Sequence, residues 1–447
     1  MAQQRDPLAG LPRRFWRALR AHGLRDAIGS ARQRLAAYDW HQCLLRLLFA
    51  VVIGALAGLA CVGICVCVRG SNELWQRVPG MFWLLPTLGM ASVALYRALG
   101  LKAYLPPSPG DDHLVAHMRA DTPVKAATGL GMVGGTCLSL MGGASVGPDA
   151  AVKQFGAALG GIVGRVFWRN ERHRPKGAMR FATAAGLGAC FSALLVSPLG
   201  VFAYTVEMAR YHDVRIGRWP TLLVACCVAA AVAEPFGCGL SVPSPGAFPT
   251  DGRALVMVMV VGVACAVAGT FYRLLVKGLK QGVRRRIGRP WLSILVGCVA
   301  VAAVNLFVPG AADLTGVGTR LLPGAFGGTA QSLGFLGKIC LTALALGFGL
   351  RGGEVTPLFV MGALLGCSVS RLLGLPTGPS CAVGLIAMFG VCSESPVAAV
   401  LMGMGFFAMD AGAAAALALA GAMAVAWFAS RPLHRGVDAL LARIAKK

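Results

Sequence analysis

Two short stretches of broken backbone, at corresponding places in two apolar halves, limit what this chain can become. The first is Gly142-Gly143-Ala144-Ser145-Val146-Gly147-Pro148-Asp149-Ala150, leading to Gly156-Ala157-Ala158-Leu159-Gly160 and Arg165. The second is Gly352-Gly353-Glu354-Val355-Thr356-Pro357, leading to Gly362-Ala363-Leu364-Leu365-Gly366 and Arg371. In both, the arginine lies nine positions after the first glycine of the Gly-Ala-x-Leu-Gly group. Each copy is followed by a Ser-Pro pair, Ser197-Pro198 and Ser395-Pro396. Close helix packing explains any one glycine pair. Four matched features in one order point instead to an internal repeat, with a site where interrupted helices meet.

The residues around these stretches set the solvent. Of 447 residues, 56% are hydrophobic and only 13% charged, as in a polytopic membrane protein. Apolar spans run near 43–68, 81–97, 124–141, 156–168, 181–208, 220–236, 254–272, 291–308, 333–350, 357–370, 380–393 and 396–429. Several fall short of the roughly 20 residues a straight crossing helix needs, and the last holds two segments. The expected fold is all-α and polytopic: two inverted-topology repeats of tilted, broken and re-entrant helices. The expected divisions are a basic cytoplasmic helix or tail at 1–42, a first repeat at 43–236, an external linker at 237–253, a second repeat at 254–430 and a cytoplasmic-side helix at 431–447.

A net charge of +24 raises nucleic acid as a partner. The distribution argues against it. Basic residues gather at 1–42, 165–180, 273–289 and in the tail, beside the spans, which places these segments and both termini in the cytoplasm. The loops 234–253 and 309–332 are poor in Lys and Arg and are placed outside. Anionic lipid is partner enough for the basic segments. Residues 1–42, with Phe15, Trp16, Leu19 and Trp40 among arginines, read either as an amphipathic helix on the bilayer or as a solvated tail. The fifteen cysteines sit mostly inside apolar spans with no paired CxxC spacing near histidines. Neither a metal site, a disulfide framework nor a cofactor is expected. No cleavable leader is expected, since the amino end is basic and long. No membrane-depth cluster pairs a nucleophile with a base, so an enzyme is not expected.

Asp149 is the leading candidate residue. An ionisable group at membrane depth is costly and marks a functional site by default, and broken backbone there is tolerated only against protein or water. A fresh helix starts at this point, and its amides and dipole favour an anion. Lys153 follows at i+4, either pairing with Asp149 or drawing anions. Ser108, in the Pro-rich turn Leu105–His113, either caps a helix or offers a hydroxyl to an ion. Glu207 is either a structural cap at a helix end or a proton carrier. Arg351 and Glu354 flank the second glycine pair in the manner of an internal ion pair. Glu394 and Asp410 are further acids without an evident role.

These residues resemble the CLC family of chloride channels and chloride/proton exchangers, over about residues 43–440. Lys338 to Thr342, then Gly352-Gly353-Glu354-Val355-Thr356-Pro357-Leu358 and Gly362-Ala363, resemble the family's GGxxxP helix start. The spelling is similar to that of the fluoride-transporting branch. Gly147-Pro148-Asp149-Ala150-Ala151 resembles the G(K/R/P)EGP motif and puts Asp149, one methylene shorter, at the gating glutamate. Ser197-Pro198-Leu199-Gly200 through Glu207 resembles the APLAGxLFxxEE segment. Met208 then stands where chloride exchangers keep their internal proton acceptor, a loss shared by channel members and the fluoride branch. Arg431-Pro432-Leu433-His434 resembles KPLY, with His434 replacing the tyrosine of the central anion site; a neutral imidazole still donates a hydrogen bond. Ser108 falls where the GSGIP serine would. The resemblance implies a homodimer with one pathway per subunit and no cytoplasmic regulatory domain after His434.

The expected function is therefore anion transport, first as a channel-type pore for chloride in the inner (plasma) membrane. Amides near Gly147, Asp149 and Ala150 and near Glu354 and Val355, with donors at Ser108 and His434, replace part of an anion's hydration. Asp149 competes for the same donors as a tethered anion. Lys153, Glu207, Arg351 and Glu394 are candidate proton or supporting groups. The alternative is a proton-coupled antiporter of chloride or fluoride, with nitrate a further candidate anion. A more remote one is an inverted-repeat carrier of an organic solute.

Overall fold

The computed structural model describes residues 40–78, 80–105, 112–169, 176–209, 218–407 and 412–446. Ser108, Asp410 and nearly all of the basic segment 1–42 lie outside the described residues. Phe49–Lys447 form one compact unit. The sixteen described α-helices are α1 (Trp40–Arg77), α2 (Leu85–Ala98), α3 (Asp112–Arg119), α4 (Ala126–Met141), α5 (Asp149–Phe167), α6 (Ala178–Leu195), α7 (Pro198–Met208) and α8 (Trp219–Ala233), then α9 (Gly252–Arg286), α10 (Pro290–Phe307), α11 (Leu322–Phe326), α12 (Gly334–Gly347), α13 (Val355–Leu373), α14 (Thr377–Ser393), α15 (Pro396–Phe407) and α16 (Gly412–Lys446). Among the described residues, seven helices are long and apolar enough to cross a bilayer, and four shorter apolar ones accompany them.

The repeat is visible in the packing. Helix α5 lies against α6 as α13 lies against α14. The Gly-Ala-x-Leu-Gly groups make both crossings possible. A Cβ on Gly156 would sit 2.4 Å from the Gly186 carbonyl and one on Gly160 2.1 Å from that of Ala182. In the second half, Gly362 and Gly366 face the Gly384 and Ser380 carbonyls, each at 2.2 Å from the same construction. Backbone therefore touches backbone, the use of small residues typical of membrane helices. The Ser-Pro pairs break the long spans where expected. Val196 (φ 50°) ends α6 and Glu394 (φ 56°) ends α14, both in the left-handed region and both just before Ser-Pro. The Pro-started helices α7 and α15 then pack on each other, with Gly200 against Met402.

Some boundaries differ from the sequence reading. Helix α9 runs on through the basic residues to Arg286, because Lys and Arg are good helix formers and nothing between Gly252 and Arg286 breaks the helix. Residues 431–447 do not begin a separate helix: Gly412–Lys446 is continuous, with Pro432 inside it.

Candidate functional site

Both broken stretches end at the same place. Gly147 and Gly353 form an isolated antiparallel bridge, each amide donating to the other's carbonyl at 2.7 Å. Two further contacts join the halves beside it: the Ser145 and Thr342 hydroxyls lie 2.8 Å apart, and the Arg351 amide donates to Ser139 Oγ at 3.2 Å. Ser145 and Thr342 are fully buried. A hydroxyl pair removed from water is stable only when each satisfies the other. Gly352 (φ 150°) lies against Val146, where a Cβ would come within 2.4 Å of the valine Cβ.

Asp149 opens α5 immediately after the bridge and is fully buried. Its carboxylate lies over the Cα of Gly353: a Cβ there would be 2.1 Å from Asp149 Cγ and Oδ2. The first-turn amides of α5, and those of Val355 and Thr356 at the start of α13, are the groups a helix leaves without intrahelical partners. Acidic Asp149 in the first turn and Arg165 in the last complement the α5 dipole. Lys153 takes the pairing alternative: its Nζ lies 3.8 Å from Asp149 Oδ2, with both side chains almost wholly buried. The same ammonium donates to Tyr204 Oη at 3.4 Å and lies 5.8 and 5.6 Å from the Phe191 and Tyr204 ring centres. The Asp149 carboxylate is thus one end of a buried pair whose ammonium lies against aromatic faces.

Glu354 caps α13 beside the bridge and is partly exposed. Its Oε2 accepts from the buried Tyr272 hydroxyl at 2.8 Å. The expected Arg351–Glu354 ion pair does not form. Arg351 instead donates to the Tyr104 carbonyl at 2.6 Å and stacks on Tyr96, its Cζ 4.2 Å from the ring centre. Between Arg351 and Glu354, Gly352 takes a positive φ of 150° and Gly353 forms the bridge, and the two side chains find different partners. A cavity of about 220 Å³ reaches both helix starts, lined by Pro148 and Thr356 with Arg69, Asn72, Val317 and Cys238.

Other candidates sit elsewhere. The Glu207 carboxylate accepts from Val397 N at 3.2 Å and Ala398 N at 2.9 Å, capping α15 across the repeat interface. Glu394 pairs with Arg273, which also reaches Asp438 at 3.2 Å, while Lys277 holds Asp438 at 2.8 Å. His434 belongs to this charged group, with Arg273, Glu394, Asp438 and Lys277 as its electrostatic neighbours. It is partly buried, and its Nε2 makes no hydrogen bond. Gly147, Ala150 and Val355 are together with Asp149 at the helix starts, whereas Glu394 and His434 are together on another group. Sequence reasoning passed over Tyr272, Tyr204 and Ser139. A hydroxyl within an apolar span was the available signal, and Tyr272 was read as the end of a span because Arg273 follows it. Among the described residues no group of His, Cys, Asp and Glu is arranged to hold a metal.

A family model described as voltage gated chloride channel matches residues 108–430. A curated relative, the chloride/fluoride channel protein of Pseudomonas syringae pv. tomato, is 28% identical over 384 residues, covering 83% of this chain and 82% of its own. Two solved structures share the fold. A CLC-type fluoride/proton antiporter superposes with a TM-score of 0.78 at 21% identity, covering 89% of this chain and 97% of its own. A slow cyanobacterial chloride/proton antiporter gives 0.71 at 22%, covering 90% and 98%.

Proposed function

This chain belongs to the voltage gated chloride channel family, and on that footing we propose that it is a proton-coupled anion antiporter, with fluoride the foremost substrate and chloride the next. The channel-type pore, placed first on sequence alone, is less well supported, because the two solved structures named above are described as antiporters. The observation that carries the proposal is the seat of Asp149: a buried carboxylate over Gly353, between two helix starts and against Lys153. A carboxylate in that seat takes the donors an anion would use. Protonation releases it, an anion enters on the partial charges of α5 and α13, and return of the carboxylate expels the anion. A proton then moves one way as the anion moves the other. Glu354, held by Tyr272 at the second helix start, is the second acid of the path, where Met208 leaves no glutamate next to Glu207. Gly147, Ala150 and Val355 supply amides, and the Ser108 hydroxyl is a further candidate donor, whereas His434 stands with Glu394 in the separate charged group. The protein works as a homodimer in the inner (plasma) membrane with both termini in the cytoplasm.

The test is reconstitution into vesicles carrying a pH dye. An outward anion gradient is expected to drive protons inward, with fluoride more effective than chloride or nitrate. Anion flux with no proton movement would return the protein to the channel reading. Flux that requires an organic solute would replace both.

A further inference from the structure

The cavity that reaches both helix starts is walled on one side by two thiols from distant parts of the chain. Cys65 stands on α1 and Cys238 in the loop after α8; both are free and both line the cavity of about 220 Å³. Each side chain is otherwise buried, so the cavity is its route to a small reagent. The two thiols are in hydrogen-bonding contact with each other. A separate contact brings the backbones together: Arg69, one turn after Cys65, donates to the carbonyl of Gly237, next to Cys238. Cys61 is also near, its Sγ 3.9 Å from that of Cys65, but it is the wrong partner for a bond. Residues four apart on a helix keep their Cβ atoms about 5–6 Å apart, beyond the roughly 3.5–4.5 Å that a disulfide spans. Cys238 comes from another segment and carries no such restraint. Its loop is one that the charge distribution places outside, and disulfides persist in oxidising compartments.

We propose that Cys65 and Cys238 are a redox modification site: a small peroxide entering the cavity joins them in a disulfide, which holds the loop against α1 and restricts the way to the Asp149 seat. The Cys238 sulfur attacks one peroxide oxygen, the O–O bond breaks, and a sulfenic acid forms with loss of one water. The Cys65 sulfur then attacks the Cys238 sulfur, the S–O bond breaks, and a second water leaves. The two thiols give up two hydrogens and two electrons, and the peroxide takes them. Gly239, Leu240 and Ser241 follow Cys238 along the same wall, so the bond fixes that whole strip. Burial first and the neighbouring Cys65 second push the Cys238 thiol up to about 11, with Arg69 acting the other way. The thiolate is the reacting form, so the reaction is slow at neutral pH and suits a lasting modification rather than a step of turnover. The cross-link stands on the thiols alone, while its effect on flux rests on the anion-transport reading.

The full chain in vesicles, treated with hydrogen peroxide, capped with N-ethylmaleimide, digested and mapped by mass spectrometry, tests it. A peptide linking Cys65 to Cys238 is expected, two hydrogens lighter than its parts and cleaved by dithiothreitol. Anion flux is expected to fall severalfold on oxidation and to recover on reduction. Cys61→Ala is expected to keep both results, and Cys65→Ala and Cys238→Ala each to lose both. Should Cys65→Ala not fold, Cys238→Ala in the loop carries the comparison. The absence of a linked peptide, Cys65 linked to Cys61 instead, or a linked peptide with unchanged flux overturns the proposal. A protein with no anion flux before oxidation refutes the transport reading instead, and the linked peptide then decides the cross-link.

Discussion

The Gly147 and Gly353 backbones exchange both of their hydrogen bonds, at 2.7 Å each, and the Asp149 carboxylate closes over the second glycine. Side chain and bridge therefore share one space. Gly353→Ala would place a methyl 2.1 Å from the carboxylate. It is expected to destabilise the protein by about 1–3 kcal/mol, the usual cost of overpacking. In an Asp149→Ala background the same change is expected to cost about 1 kcal/mol less, because the colliding group is gone. Thermal unfolding in detergent across the four variants measures the difference. Equal losses in both backgrounds would show that the carboxylate does not occupy this space.

Asp149→Ala removes the tethered anion and leaves the helix starts in place. Anion flux is expected to persist and to become flat with pH, while anion-driven proton movement drops about tenfold or more, equivalent to about 1.4 kcal/mol. Parallel anion and proton traces between acid and neutral pH check it. Flux that keeps its original pH dependence removes Asp149 from the gate.

Tyr272→Phe keeps the ring and deletes only the hydroxyl that holds Glu354 at 2.8 Å. Hydrogen bonds to charged groups contribute about 1.5–3 kcal/mol. Coupled turnover is expected to fall about tenfold, and little further when Glu354→Gln is added, because the two act as a unit. Additive losses would mean the phenol merely fills its pocket.

Glu207 binds two amides at the start of α15 and so is expected to act on stability before transport. Glu207→Ala should cost about 1–2 kcal/mol as a lost cap, with Glu207→Gln recovering part of it and the proton-to-anion ratio unchanged. Normal melting with a lost proton flux would make Glu207 a proton carrier after all.

The architecture was legible because its signals are backbone signals. Gly-Gly, Gly-Ala-x-Leu-Gly and Ser-Pro announce close approach, helix crossing and interruption at fixed positions, and Gly156, Gly362 and Pro198 stand at those places. The partners of side chains were less legible, since they depend on where distant segments arrive. Tyr272 reaches Glu354 over 82 positions and Tyr204 reaches Lys153 over 51. Arg351 and Glu354 stand three apart in sequence, yet across the positive-φ Gly352 and the bridging Gly353 each finds a different partner. Spacing alone suits residues on one helix, and this pair is not on one.

A clasp made wholly of main-chain atoms has a mechanical corollary. Many carriers built from inverted repeats expose their cargo alternately by rocking one half past the other. Here such a swing would have to break two short backbone hydrogen bonds and part the buried Ser145–Thr342 hydroxyls. In the proposed cycle the halves would then serve as a fixed frame, and turnover would be left to movements the size of a carboxylate rotamer.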